Sequence, residues 1–297
     1  MKVIVLLSSY NGERYIKDQI ESILQQTIHC ELVVRDDGSS DKTQEILKEY
    51  ERKGKLTWYT GQNLGPCDSF LNLIKNAGEA NYYALSDQDD VWDEDKIEKG
   101  LEKISEDKYS LYFCKRRIVD INLNELNVQN TYVRSVKPNT ALIEGIAYGC
   151  TMLFNYNVKK AIEKLNQHYH DYMHDALIYR LVSLCGTVIY DEKPHISYRQ
   201  HGDNVVGHEL TGVKRWIQRF ENLSKRKNSS TRSDCAKEIY ENYLNIVKPE
   251  YRQLIYDVAY VRESKLARTR LVFRDGLITQ HKPNVFFLKI FILIGWL

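Results

Sequence analysis

The run Asp87-Gln88-Asp89-Asp90 is the part of this 297-residue chain best suited to chemistry. Carboxylates one residue apart at the end of an apolar stretch can converge on a hard divalent cation through oxygen ligands. Such a cation bridges diphosphate oxygens and offsets the charge of a departing nucleotide. The plain alternative is a solvated turn. Asp90 is read as the N-cap of a helix that Val91-Trp92-Asp93 leads into, leaving Asp87 and Asp89 for the cation. A second acidic group, Asp36-Asp37-Gly38-Ser39-Ser40-Asp41, also follows an apolar run. There one carboxylate can accept from a nucleobase N–H, or the segment can serve only as turn and cap. Ser8-Ser9-Tyr10-Asn11-Gly12 closes the first apolar run, and Tyr10 could lie against a base.

These loops need a scaffold that gathers them. Val3 to Leu7, Leu32 to Val34, Leu56 to Tyr59 and Tyr82 to Leu85 read as buried strands. Helical spacings lie between them: Ile16, Ile20, Ile23 and Leu24, then Ile46, Leu47 and Tyr50, then Phe70, Leu71 and Ile74. Asp41 and Gln44 have the spacing of a capping box. Repeated β-α units predict an α/β fold with a mostly parallel sheet, whose ligands bind at the carboxyl ends of the strands. Further strands are expected over Tyr109 to Phe113, Thr151 to Phe154, Thr187 to Tyr190 and Ile196 to Arg199, with a helix over Asp175 to Leu184. Three helices are expected beyond Gly207: Val213 to Ser224, Asp234 to Ile246 and Tyr251 to Leu266. We therefore divide the chain into 1–207, the catalytic domain, and 208–297, a helical C-terminal region.

The bulk composition narrows the field. Hydrophobic residues make up 43% and charged residues 28% of the chain, an ordinary globular balance. A formal net charge of +2 gives no argument for nucleic acid. Six cysteines without a Cys-x-x-Cys pair give no support to zinc ribbons or dithiol redox chemistry. No signal peptide is evident, and reduced cytoplasmic thiols are expected. The apolar tail Val285 to Leu297, with Phe286, Phe287, Phe291 and Trp296, is too short to span a bilayer. Together with Lys214, Arg215, Arg219, Lys225, Arg226, Lys227 and Arg232 it reads as a peripheral contact with the inner face of the plasma membrane. Packing on its own domain or in a homodimer is the alternative.

The order and spacing of Ser8 to Glu13, Ile23 to Thr27, Asp36 to Thr43, Asn63-Leu64-Gly65 and Ser86 to Trp92 resemble family 2 glycosyltransferases of the GT-A fold. Gly149 to Asn155 and Tyr198 to Gly207 resemble its rhamnosyltransferase-like branch, which builds bacterial cell-wall and capsular polysaccharides. The resemblance implies an inverting, metal-dependent transferase using a UDP- or dTDP-sugar and Mg²⁺ or Mn²⁺. Its acceptor would be a glycan, which a lipid carrier can present. It implies base contacts at Ser8, Tyr10 and Asp37, a ribose or metal contact at Asp87, and the metal ligand at Asp89. Asp175, at a helix start, is the expected general base, with Asp171 as fallback and His174 as a structural neighbour. His201 is expected at the metal, a diphosphate hydrogen bond being its other role, and Arg199 can pair with phosphate or simply flank its strand. Rhamnose is favoured, with glucose, galactose or GlcNAc as alternatives. A non-catalytic nucleotide-sugar or glycan-binding module is the rival from another class. Ser8 to Arg14 lacks the glycine-rich basic loop of a nucleotidyltransferase.

Overall fold

A computed structural model describes residues 1–127, 133–165, 172–201, 231–277 and 284–295. The first strand, β1 (Val3–Ser9), shows why the apolar runs become buried strands. Ile4 and Leu6 belong to one hydrophobic cluster, and Val3, Val5 and Leu7 to another on the opposite face of the sheet. Side chains alternate across a strand, so a strand covered on both faces must be apolar throughout. Burying each of these side chains contributes about 1.5–3 kcal/mol.

Helix α1 (Ile16–Leu24), strand β2 (Glu31–Asp36), helix α2 (Thr43–Arg52), strand β3 (Thr57–Thr60), helix α3 (Gly65–Asn76) and strand β4 (Tyr82–Ser86) follow in alternation. Among these strands β1 pairs parallel with β2 and β4, and β2 parallel with β3. Next come β5 (Val91–Trp92), α4 (Lys96–Lys103), β6 (Ser110–Val119), α5 (Pro138–Ala141), β7 (Met152–Asn155), α6 (Tyr156–Ile162), α7 (His174–Cys185) and β8 (Thr187–Arg199). Among the described residues the sheet has eight strands in the order β3-β2-β1-β4-β7-β6-β8-β5. Strand β7 runs antiparallel between β4 and β6, while β8 runs parallel to β6. This is the mixed, mostly parallel sheet flanked by helices that the β-α alternation predicts.

Several expectations change. Val91 and Trp92 do not lead into a helix. They form β5, antiparallel to Ser197 and Ile196, and α4 starts only at Lys96. Asp90 therefore caps nothing; its carboxylate accepts from the Arg199 backbone N–H. The capping box at Asp41 is absent too. Gln44 turns back to Asp36 and the Ser39 carbonyl, while Asp41 accepts from the Thr43 and Glu13 backbones. The two strands expected over 187–199 are one, with register shifts opposite Lys115.

Beyond residue 230 lie α8 (Thr231–Tyr243), α9 (Arg252–Ala259), α10 (Lys265–Phe273) and α11 (Asn284–Leu293). The single helix expected over 251–266 breaks before Ser264, whose side chain caps α10. Cys235, Ile239, Leu254, Val258, Leu271, Leu288 and Ile292 join Phe70 and Tyr179 in one cluster, so these helices complete a core begun by the sheet. Helix α11 buries Leu288 and Ile292 and leaves Ile290 and Leu293 outward, with Ile294 exposed just past its end. Among the described residues no helix is long and apolar enough to cross a membrane. All six cysteines are free and buried. The boundary at 207, the helix over 213–224, the basic loop over 225–230, Asp171 and Trp296 lie outside the described residues.

Candidate active site

The carboxyl ends of β1, β2 and β4 lie side by side, and the loops leaving them are tied by side chains. Asn11 takes a left-handed conformation (φ 48°), which asparagine tolerates better than most residues. Its N–H donates to Ser39 Oγ, and its side-chain oxygen accepts from the Ser40 N–H at 2.9 Å. The Gly12 N–H donates to Thr43 Oγ1 and the Lys42 N–H to Glu13. Gln19 and Ser22 are buried on α1 and bond Ser86 Oγ (2.6 Å) and the Trp92 N–H (3.1 Å). These contacts fix both ends of the acidic run.

Within the second loop Asp36 is fully buried and accepts from Ser9, Ser39 and Gln44. Asp37 is buried as well. It pairs with Arg35 and accepts from the Leu64 and Gly65 N–H groups at 2.9–3.0 Å. Arg35 also bonds Ser69 Oγ, which meets Ser8 Oγ at 2.6 Å. Ser8 and Asp37 are thus joined through one polar chain. The Tyr10 ring stands outside it, 46% exposed.

In the acidic run, Asp89 meets His201 across 112 residues, Oδ2 to Nε2 at 2.8 Å. The His201 ring stacks on Tyr15 at 4.9 Å. A carboxylate and an imidazole at this spacing suit a divalent transition metal. Asp87 is partly accessible but densely surrounded. Burial first, then the charges of Asp89 and Asp175, push its carboxyl up to about 7. Asp90 is 0% exposed, and beyond the Arg199 N–H only the weak Cys150 thiol donor, among the described residues, stands beside its carboxylate. Burial and the neighbouring Asp89 and Asp87 hold it well above the usual carboxylate range. Asp87, Asp90 and the Cys150 thiol keep ligand atoms within 4.8 Å of one another, as do Asp93, Asp95 and His195. The second group reads as an ion-pair network, because Asp93 is held bidentately by Arg117 and His195 faces Asp191.

Asp175 stands in the first turn of α7, whose N-cap position is Met173. Its carboxylate accepts from the Gly149 N–H at 3.2 Å and from the Ala176 N–H at 2.6 Å. Its charge acts on Asp87, so the loop after β4 and the start of α7 lie within electrostatic reach of each other. His174 is buried, stacks on Phe70 at 4.2 Å, and burial pushes its pKa down. That is the structural place expected of it.

Arg199 ends β8. It is 4% exposed, and its guanidinium bonds the Asp89 and Ile121 carbonyls and Asp18. From the end of β8 it braces the acidic loop, as the strand-flanking alternative expects. Two residues escaped sequence reasoning. Gln88 bonds both backbone groups of Tyr10. Arg116 lies 3.2 Å over the Tyr148 ring and 4.4 Å over Tyr198, and its charge acts on Asp87. Neither has a local signal, because their partners are distant in sequence. Two surface hollows, of about 720 and 710 Å³, border β2–β3 and the β5 turn. Asp87, Asp89 and Asp175 line neither, so the converging charges mark the site better than empty volume does.

Residues 4–184 match the family described as Glycosyl transferase family 2. The chain is 27% identical over 229 residues to the dTDP-rhamnosyl transferase RfbG of Shigella flexneri, covering 69% of this chain and 75% of that one. Its fold is similar to that of S. aureus TarS 1-349 in complex with UDP-GlcNAc (TM-score 0.59, 16% identity, 99% of this chain and 90% of that one). It is also similar to the mannosyltransferase PcManGT from Pyrobaculum calidifontis in complex with GDP-Man and Mn²⁺ (TM-score 0.53, 14% identity, 91% and 72%).

Proposed function

The chain belongs to glycosyl transferase family 2, and from that premise we propose an inverting, metal-dependent transfer of a sugar from a UDP- or dTDP-sugar to a cell-surface glycan. The observation that carries this reading is the meeting of Asp89 with His201 beside Asp87, itself within electrostatic reach of Asp175. Asp89 and His201 would hold Mg²⁺ or Mn²⁺, which when bound offsets the diphosphate charge. Mn²⁺ in the PcManGT complex supports this donor set. The exposed Tyr10 ring lies against the base, Ser8 and Asp37 line the base pocket, and Asp87 takes the ribose side.

Asp175 accepts the proton of the acceptor hydroxyl. The freed oxygen forms its bond to the anomeric carbon as the bond to the nucleoside diphosphate breaks, and configuration inverts. The Gly149 N–H fixes one carboxylate oxygen of Asp175. Rhamnose is favoured as the sugar by the likeness to RfbG. A lipid-linked acceptor would give a use to the outward residues Ile290 and Leu293 of α11 and Ile294 beyond it.

UDP-, dTDP- and GDP-sugars are compared by thermal shift with and without Mn²⁺, since a ligand of the native state raises its melting point. With the donor so identified, Asp175→Asn should lower glycan formation by about 10²–10⁴ and leave donor binding unchanged. Undiminished turnover would remove Asp175 as the base. Donor binding without Mn²⁺-dependent donor hydrolysis in the parent chain favours a non-catalytic binding module.

A further inference from the structure

Gln88, the second residue of the acidic run, carries no charge, yet its side chain is held at both ends. Gln88 Oε1 accepts from the Tyr10 N–H at 2.9 Å, and Gln88 Nε2 donates to the Tyr10 carbonyl at 2.9 Å. A single side chain thus makes the pair of bonds that a neighbouring strand would make. Strand β1 ends at Ser9, so Tyr10 has no sheet partner to replace it.

The fit is close from the other side as well. A Cβ on Gly12 would stand 2.1 Å from Gln88 Oε1 and 2.6 Å from its Cδ. Only glycine leaves room for the amide. The flanking residues of Gln88 are Asp87 and Asp89, and Asp89 is in turn held by His201 and, through its carbonyl, by Arg199. Tyr10 therefore receives its backbone position from the loop that carries the charges. No hydrogen bond of its phenol appears among the described contacts, so the ring points where that backbone aims it.

We propose that Gln88 is a positioning residue that joins the cation loop to the nucleobase loop, so that a cation at Asp89 and His201 and a base against Tyr10 each tighten the other. The inference rests on the transferase reading above and adds a coupling to it. Coupling between two ligands is reciprocal, since each must change the other's affinity by the same factor. The side chain also sets selectivity, because only ligands that carry a base benefit from it.

The test compares UDP and dTDP, each titrated calorimetrically with and without Mn²⁺, against inorganic pyrophosphate with Mn²⁺ as the ligand without a base. Gln88→Met keeps the bulk and removes both hydrogen bonds. Gly12→Ala displaces the amide without altering the acidic run. Both should weaken the pyrimidine nucleotide about tenfold at saturating Mn²⁺ and leave pyrophosphate within about twofold. Both should also speed hydrogen exchange at the Tyr10 amide in the metal-free protein. In a Tyr10→Ala background, Gln88→Met should weaken the nucleotide no further. Equal losses for nucleotide and pyrophosphate, additive losses in the double variant, or an unchanged Tyr10 amide would each overturn the coupling. If neither nucleotide binds the parent chain with Mn²⁺, the transferase reading falls and the coupling with it. Binding with unchanged selectivity in the variants overturns the coupling alone.

Discussion

Replacing Asp90 by asparagine should make this protein more stable, and increasingly so as the pH rises. Asp90 is fully buried, its Oδ1 accepts from the Arg199 N–H, and beyond that only the weak Cys150 thiol donor, among the described residues, stands beside its carboxylate. Burial, Asp89 and Asp87 raise its pKa well above the ordinary value. A carboxyl whose folded pKa is raised binds a proton on folding. Its favourable contribution is complete below the unfolded pKa, near 3.9, and is lost as pH climbs towards the folded value. Across that window stability falls by about 1.4 kcal/mol per pH unit for one proton. Sharing of the proton with Asp87 makes this an upper bound. Asparagine keeps the acceptor for Arg199 and removes the charge. In EDTA, the melting temperature of Asp90→Asn should exceed that of the parent by a margin that grows from pH 4 upward. At about 2–4 °C per kcal/mol for a chain of this size, the margin reaches several degrees by neutral pH. Differential scanning calorimetry at one-unit pH intervals measures it. A margin that is zero, negative or constant with pH would refute the burial argument.

Three further outcomes follow from the described contacts. A Cβ on Gly186 would stand 1.9 Å from the Tyr109 carbonyl oxygen, so Gly186→Ala should cost more than about 2 kcal/mol and lower the urea midpoint; an unchanged midpoint contradicts the packing at the α7–β8 junction. Arg199→Lys cannot reach the Asp89 and Ile121 carbonyls and Asp18 together, and should cost about 2–4 kcal/mol, read as a lower denaturation midpoint, with weaker Mn²⁺ binding. His201→Ala should weaken Mn²⁺ by about tenfold in a calorimetric titration while nucleotide binding in EDTA stays the same; equal Mn²⁺ affinity removes His201 from the cation site.

The legible parts of this molecule were those with a local period. Val3 to Leu7 must be a covered strand because five consecutive apolar side chains need two faces to hide in, and β1 has both. The β-α alternation puts Asp37, Asp87 and Asp89 at one sheet edge, and the adjacent, parallel β2, β1 and β4 do so. Short or interrupted elements misled. Two residues, Val91 and Trp92, carry no measurable period, and their pairing with Ile196 and Ser197 is set a hundred residues away. The apolar spacing of 251–266 runs on through the break at Tyr260, where α9 ends and a new cap begins. Gln44 had the spacing of a capping box, but Asp36, buried and in need of donors, claims it. Gln88, Arg116 and Arg199 act through backbone groups, aromatic rings and distant carboxylates, so residue type alone could not assign them. Asp89 with His201 is the long-range pair that the family resemblance anticipates, since a carboxylate and an imidazole can share one cation.

The six buried thiols turn the fold into its own reporter. Burial raises Cys30 to about 11 and Cys67 and Cys185 to about 12, and holds Cys150 well above the usual thiol range. Cys67, Cys185 and Cys235 belong to the cluster shared with the C-terminal helices, while Cys30, Cys114 and Cys150 lie in the cluster on the other face. A thiol reagent therefore reacts only with molecules that have opened, and the cysteine it marks says which face of the sheet parted first. Time-resolved alkylation read by peptide mass can then map local opening without any engineered label. A single cysteine placed on the surface would be the only one to take a fluorophore in the native state.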